Sequence, residues 1–142
     1  MIINIHTRER EPNNTLKVIT MLQEKHQEPV VHISDKTVSE WQQIITSDEP
    51  MRFVGPVYWW GMGHEFEKWM QEVLSYGFAY QYIDNVPTGM LDGRAFEVYL
   101  AHGTPAEYSE TMRKNIQDRI TMGIFDKCKA VSTVSFFDQA EL

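Results

Sequence analysis

A single α/β domain, with a parallel sheet covered by helices on both faces, is the fold this sequence predicts. Three observations point to it. Short runs rich in β-branched and aromatic residues recur at 1–5, 30–33, 51–57, 96–101 and 130–137. Amphipathic helical patterns separate most of them. No repeat, low-complexity tract or linker divides the 142 residues, so one domain spans 1–142. Strands alternating with helices pair in parallel through right-handed crossovers.

The elements follow in order. Residues 1–5 read as a buried first strand, and a polar stretch, 6–14, leads to a helix carrying Leu16, Ile19 and Leu22 on one face. Pro29 ends that region before the second strand at 30–33. Residues 35–39 offer helix caps ahead of Trp41, Ile44 and Ile45,. The third apolar run, 51–57, stops at Pro56 and the cluster Tyr58-Trp59-Trp60. Phe66, Trp69, Met70 and Val73 form an amphipathic stripe closed by Gly77, which argues for a core role for Trp69. The stretch 78–93 is read as turns, with Asp84-Asn85, Pro87, Thr88-Gly89 and Asp92-Gly93 as breakers,. The fourth strand is expected at 96–101. A loop and one helix fill 105–127, where Met112, Ile116, Ile120 and Ile124 recur every four residues, and the fifth strand is 130–137.

Composition narrows the function classes. A chain of this length buries roughly two thirds of its unfolded surface, so it needs no disulfide or structural metal to hold a core. The mean hydropathy is −0.39, and no apolar run approaches the roughly 20 residues of a membrane span. The start has the wrong flanks for a signal peptide. Cys128 is the one cysteine; it reads as a small buried hydrophobe, and a reducing, cytoplasmic setting is the default expectation. Thirteen basic and 20 acidic residues leave a net charge of −7, which argues against nucleic-acid binding by phosphate neutralisation. An anionic cofactor is still compatible, because a helix N-terminus holds phosphate on an acidic protein. The histidines lack HxxxH or HExxH spacing and no G-x-S-x-G elbow occurs, so neither a metal site nor a hydrolytic triad is expected.

In open parallel sheets ligands bind beyond the carboxyl ends of the strands. Three segments fall at that edge: 6–14, 56–61 and 102–108. In the central one, Pro56-Val57-Tyr58-Trp59-Trp60-Gly61 combines flat apolar walls with close-approaching backbone amides, the mixture a flavin ring needs. Composition alone leaves ligand contact and ordinary core or interface packing equally open there. The first loop, 6–14, precedes a helix, and its hydroxyl, amide and guanidinium donors suit a phosphate, but it lacks glycine and carries two glutamates, and Asn13, Asn14 and Thr15 as plain helix caps are the favoured reading,. His102-Gly103-Thr104-Pro105 with Tyr108 reads either as a ligand edge or as a plain strand-to-helix turn.

The block from Pro56 to Met62, then Trp69, then Gly77-Phe78-Ala79-Tyr80 resembles the flavodoxin-like NAD(P)H:quinone oxidoreductase family, of the bacterial modulator-of-drug-activity and potassium-efflux ancillary reductase type. His6, Gly103 with Tyr108, and Gly123-Ile124 with Cys128 fall in family order. The resemblance implies a flavodoxin-like five-stranded parallel sheet of order 2-1-3-4-5, bound FMN or FAD, NAD(P)H as co-substrate, a quinone-like acceptor, ping-pong hydride transfer and a homodimer. It implies that His6, Thr7 and Asn13 approach the phosphate, that Pro56, Val57, Tyr58, Trp59 and Trp60 line the ring, and that Gly103, Thr104 and Tyr108 close its other edge. Tyr108 and Tyr80 are the catalytic candidates, with Tyr80 and Tyr82 on the substrate side, either of the same chain or across a dimer interface.

Several positions depart from the family pattern. Arg10-Glu11 stand where a hydroxyl usually meets the phosphate, Gly63 replaces a proline, Glu67 aligns with a lysine, and Ala101-His102-Gly103-Thr104 replaces Thr-Thr-Gly-Gly. The chain stops at Leu142, where the family adds a last helix, so that helix is expected to be missing. The departures suggest an alternative: a flavin-poor regulatory or assembly subunit of the same fold without catalysis.

Overall fold

The computed structural model describes residues 1–6 and 13–142. The order is β1 (Ile2–Asn4), α1 (Asn14–His26), β2 (Val30–His32), α2 (Val38–Ile45), β3 (Arg52–Pro56), α3 (His64–Val73), β4 (Tyr80–Ile83), β5 (Val86–Gly89), β6 (Ala95–His102), α4 (Ala106–Asp118) and β7 (Val131–Asp138). Five strands make one parallel sheet in the order β2-β1-β3-β6-β7, while β4 and β5 pair antiparallel outside it. The α/β class and the five-stranded parallel sheet are as expected. Numbered along the chain the order reads 2-1-3-6-7 and not 2-1-3-4-5, because the 78–93 stretch folds into a hairpin, β4 and β5, instead of turns; the five expected strands themselves keep their expected sequence across the sheet. Asp84 and Asn85 take φ of 50° and 64°, the left-handed pair of a two-residue hairpin. What reads as a breaker is the turn itself.

Helices lie on both faces. On one, α1 buries Thr15, Val18, Ile19 and Leu22, spaced to share a single stripe, against Ile2, Val54 and Ala101. Asn13 starts it by accepting from the Leu16 amide at 2.9 Å, and Gln27 ends it in the left-handed conformation. On the other face, α2, α3 and α4 cover Ile3, Phe53, Phe96, Val98 and Leu100. Thr37 and Glu40 cap α2 reciprocally,. Trp69 is core, as its stripe predicts, and sits edge-on to both Trp41 and Phe53. Cys128 is buried as expected.

The single helix expected through 105–127 changes pitch. After Asp118 the chain continues as a π-helix, Arg119–Phe125. A strict four-residue repeat drifts about 40° per step around an α-helix of 3.6 residues per turn. Wider i→i+5 turns rotate each residue less, which cancels the drift and keeps Ile120 and Ile124 in the core with Met112 and Ile116. Beyond β7 the chain makes a 3-10 turn, Gln139–Glu141, and Lys17 Nζ reaches the Leu142 carbonyl oxygen at 3.3 Å. No helix among the described residues is long and apolar enough to cross a membrane.

At the amino edge of the sheet Arg52 joins Glu28 at 2.9 Å and also contacts Glu97. Burial alone would raise the Glu28 pKa, but the Arg52 hydrogen bond and the terminal ammonium outweigh it, and the net shift is downward. A carboxyl depressed in the folded state stabilises above its unfolded pKa, and loses that contribution as pH falls through the folded value. Glu28→Gln is therefore expected to cost about 1 kcal/mol at neutral pH and to flatten the acid limb of stability against pH. Urea melts from pH 7 down to pH 3 check it; parallel wild-type and variant curves would refute it.

Candidate functional site

Parallel pairing brings the carboxyl ends of β1, β3 and β6 to one edge, with Asn4 beside Val54 and Pro56 beside Ala101. From β1 the chain crosses to β2 on one side and β3 lies on the other, so this edge is where the winding reverses. A cleft of about 270 Å³ opens there, lined among the described residues by His6, Asn13, Asn14, Thr15, Pro56, Val57, Tyr58, Ala101, His102, Gly103 and Gln139. None of these described side chains is acidic, in a protein of net charge −7.

The β1 side is tightly tied. Asn4 Oδ1 accepts from the His6 amide at 2.8 Å. The Ser34 amide donates to His32 Nδ1 at 3.1 Å, so the His32 proton sits on Nε2 and is donated to the His6 carbonyl oxygen at 2.9 Å,. The His6 ring in turn meets Tyr58 edge-on, with the Tyr58 hydroxyl 3.3 Å from Nε2. At the start of α1, Thr15 is 1% exposed and its hydroxyl has no hydrogen-bond partner among the described residues. A buried orphan hydroxyl is costly. At a helix N-terminus it is a ready partner for a phosphate oxygen.

The β3 side ends in a tight turn. The amides and carbonyls of Tyr58 and Gly61 exchange hydrogen bonds of 2.9 and 2.8 Å, and Trp59 and Trp60 both take positive φ, 52° and 53°. That is a type I′ arrangement, normally built from Asn and Gly. Trp59 is 101% exposed. Two bulky residues in a disfavoured region, one without packing to compensate, are the kind of strain that clusters at ligand sites.

On the β6 side His102 is buried, between Arg113 of α4 and the edge of Phe136. Burial first, and the Arg113 charge second, hold its pKa below the ordinary histidine value against the opposing pull of Asp138 and Glu141. A Cβ at Gly103 would fall 2.6 Å from the Gln139 amide, so glycine lets the β7 turn close this end of the cleft.

The structure thus brings His6, Asn13, Pro56, Val57, Tyr58 and Gly103 to one cleft. Trp59 and Trp60 stand on the adjoining turn, Thr104 follows Gly103, and Tyr108 lies in the first turn of α4, 53% exposed. Thr7 and the Arg10-Glu11 pair lie outside the described residues. Tyr80 is elsewhere: it belongs to the hairpin, with Lys127 Nζ 4.3 Å over its ring, and lines a separate crevice with Cys128. Glu67 makes a two-pronged ion pair with Arg119, so its departure from the family lysine serves a helix-to-helix clamp. Sequence reasoning missed Gln139 and the supporting roles of His32 and Arg113. No local signal marks them, since each depends on partners 26 or more residues away or on the register of β7, save Arg113, one helix turn past the Tyr108 segment.

Comparison with known proteins fits this architecture. A family model described as flavodoxin-like fold matches residues 2–140. No curated protein sequence matches. Among solved structures, an NAD(P)H:quinone oxidoreductase from Methanothermobacter marburgensis superposes with a TM-score of 0.76 at 15% identity, over 96% of this chain and 85% of that one. General stress protein 14 from Treponema denticola, in complex with FMN, gives 0.70 at 19% identity, over 99% and 86%. An FMN-dependent NADH-azoreductase from Bacillus anthracis, also in complex with FMN, gives 0.73 at 15% identity, over 99% and 86%. At these identities the likeness is one of fold.

Proposed function

Because this chain belongs to the flavodoxin-like fold family, matched over residues 2–140, we infer that it is an FMN-dependent NAD(P)H oxidoreductase acting on a quinone or related acceptor. The observation that carries this reading is the convergence of an orphan hydroxyl at a helix N-terminus, an exposed strained tryptophan turn and a glycine-lined strand end around one cleft. The donor set fits the cofactor: Asn13, Asn14 and Thr15 suit its phosphate, the Tyr58–Gly61 turn suits a flat ring, and the β6 end suits a polar ring edge. Bound there, FMN would supply the hydride chemistry between NAD(P)H and a quinone-like acceptor, with a ping-pong sequence as the expected kinetics.

The residues of the chain orient and exclude. His32 and Asn4 fix the His6 backbone, and His6 fixes the Tyr58 hydroxyl, so the β1 and β3 loops hold a common geometry. Trp59 offers an aromatic face to stack on the ring and keep water off it. Tyr108, exposed in the first turn of α4, is the candidate hydroxyl donor for the acceptor. A homodimer belongs to this reading, supported by the exposed Tyr76, Tyr82, Ile83 and Val86 on and beside the hairpin,.

Reconstitution with excess FMN is expected to give a yellow protein that oxidises NADH or NADPH with a quinone and sediments as a dimer. Protein that stays colourless and fails to quench FMN fluorescence would overturn the assignment. Flavin binding without NAD(P)H oxidation would leave a non-catalytic subunit.

A further inference from the structure

The five-stranded sheet has two unlike edges. β2 is three residues long and follows Pro29. Its outward-facing His32 amide donates to Asp35 Oδ2 at 2.8 Å. Brevity, proline and a capped amide all keep an edge strand from pairing with another chain. β7 has none of them. It runs for eight residues, Val131–Asp138, with no proline and no charge before Asp138. None of its residues is fully buried. The Val131 amide donates to the Arg94 carbonyl oxygen at 2.8 Å, on the β6 side. Backbone groups alternate between the two edges of a strand, so Thr133, Ser135 and Phe137 also bond toward β6. The N–H and C=O groups of Ser132, Val134 and Phe136 point away from the sheet. β7 pairs with β6 alone, and these three amides have no acceptor among the described residues.

Charge and register single out the partner. The segment before β7 carries Lys127 and Lys129 against one Asp126, and its far end carries Asp138 and Glu141. Two copies laid antiparallel bring the basic end of each to the acidic end of the other, whereas parallel copies would set like charges together. A two-fold axis through Val134 also matches the hydrogen bonds: Val134 meets the partner's Val134 and Ser132 meets the partner's Phe136, all with outward backbone groups. On the α1 face the same axis sets Thr133 against the partner's Ser135, a hydroxyl pair, and Val131 against the partner's Phe137. Ser109, Glu110, Lys114 and Gln117 of α4 line an open groove of about 650 Å³ with Asp138, so a paired copy meets helix as well as strand. We propose that β7 is a self-pairing edge, through which two copies of this chain join their parallel sheets into one. This surface is separate from the β4–β5 hairpin that supports the dimer of the flavin reading, and it requires no cofactor.

Disulfide trapping reads the register. Residues 133 and 135 of opposite copies face each other as a non-hydrogen-bonded pair, about 4.5 Å apart between Cα atoms and within disulfide reach. Residue 133 and its own symmetry copy lie on the diagonal, about 7–8 Å apart, beyond that reach. Cys128 is buried and does not compete. An oxidised mixture of the Thr133→Cys and Ser135→Cys proteins is therefore expected to give a covalent dimer on a non-reducing gel, and each variant alone to stay uncrosslinked. A mixture that gives no covalent dimer overturns the proposal, and so does either variant that cross-links by itself as readily as the mixture. Ser132→Pro removes an outward amide from each copy without touching the β6 ladder. It is expected to weaken self-association at least tenfold, on the order of one lost hydrogen bond per copy, and to halve the mass seen by sedimentation equilibrium while the circular dichroism spectrum is unchanged. A folded Ser132→Pro protein that associates as tightly as wild type overturns the proposal and leaves the hairpin as the interface between copies. Should Ser132→Pro fail to fold, the cross-linking result decides alone. Both readouts are taken without flavin, so a failure of FMN binding leaves this pairing untouched, and a failure of pairing leaves the flavin reading standing.

Discussion

Replacing Trp59 with asparagine is expected to make the protein more stable and its hold on FMN weaker. Trp59 is 101% exposed and sits at φ 52°, so it carries left-handed strain of roughly 1–2 kcal/mol for an ordinary side chain without burial to offset it. Asparagine adopts that conformation readily, and the turn's paired backbone hydrogen bonds at Tyr58 and Gly61 stay intact. A gain near 1 kcal/mol should follow. If the indole is the wall on which the flavin ring stacks, its loss removes about 1–3 kcal/mol of binding, on the scale of base–aromatic stacking, or roughly tenfold to a hundredfold in affinity. Urea denaturation reads the first quantity and FMN fluorescence quenching the second. Opposite signs are the signature of strain kept for function. A stabilised variant with undiminished FMN affinity would show that Trp59 does not face the cofactor, and a destabilised one would show that the turn is not strained.

Gly89→Ala is expected to cost about 3 kcal/mol, the upper range for overpacking. An added Cβ would lie 2.3 Å from the Cys128 carbonyl carbon and 2.5 Å from the Lys129 nitrogen. Neither atom can yield, because both belong to backbone pinned by Lys129 N–H to the Asp126 carbonyl, Leu91 N–H to the Cys128 carbonyl, and Ala130 N–H to the Phe125 carbonyl. The hairpin can yield. β5 pairs only with β4, so the clash is expected to detach this unit before the parallel sheet opens. Hydrogen exchange should then quicken at the Met90 and Leu91 amides, while β3 and β6 stay protected. Unchanged exchange there, with unchanged stability, would contradict the packing described. The hairpin carries Tyr80 and Tyr82, so the same variant separates their contribution from that of the cleft: FMN affinity should survive it.

Much of the architecture was legible because its signals are local. The Asn13 cap, the Leu22 and Trp69 stripes and the β-branched runs at 30–33 and 51–57 each specify an element within one or two turns of chain. The edge at which the cleft opens was legible too, since a proline and an aromatic cluster closing a central strand lie at the sheet's carboxyl edge. Where the reading failed, a local signal had two meanings. Asp84-Asn85 marks a loop or a type I′ hairpin equally well, and only the pairing of Ile83 with Val86 distinguishes them. The four-residue repeat from Met112 to Ile124 is compatible with an α-helix until the core to be covered is in place.

The amino-acid sequence by itself determined the alternation of strands and helices, the family, and which three strand ends meet around the cleft, because hydrophobic period and turn chemistry act over a few residues. Only the tertiary structure decided that Thr15 lacks a partner among the described residues, that His102 is buried beside Arg113, that Glu67 belongs to Arg119, and that Tyr80 stands away from the cleft. A hydrogen bond made or missing is a relation between atoms that the chain brings together from far apart, and no residue type carries that information alone.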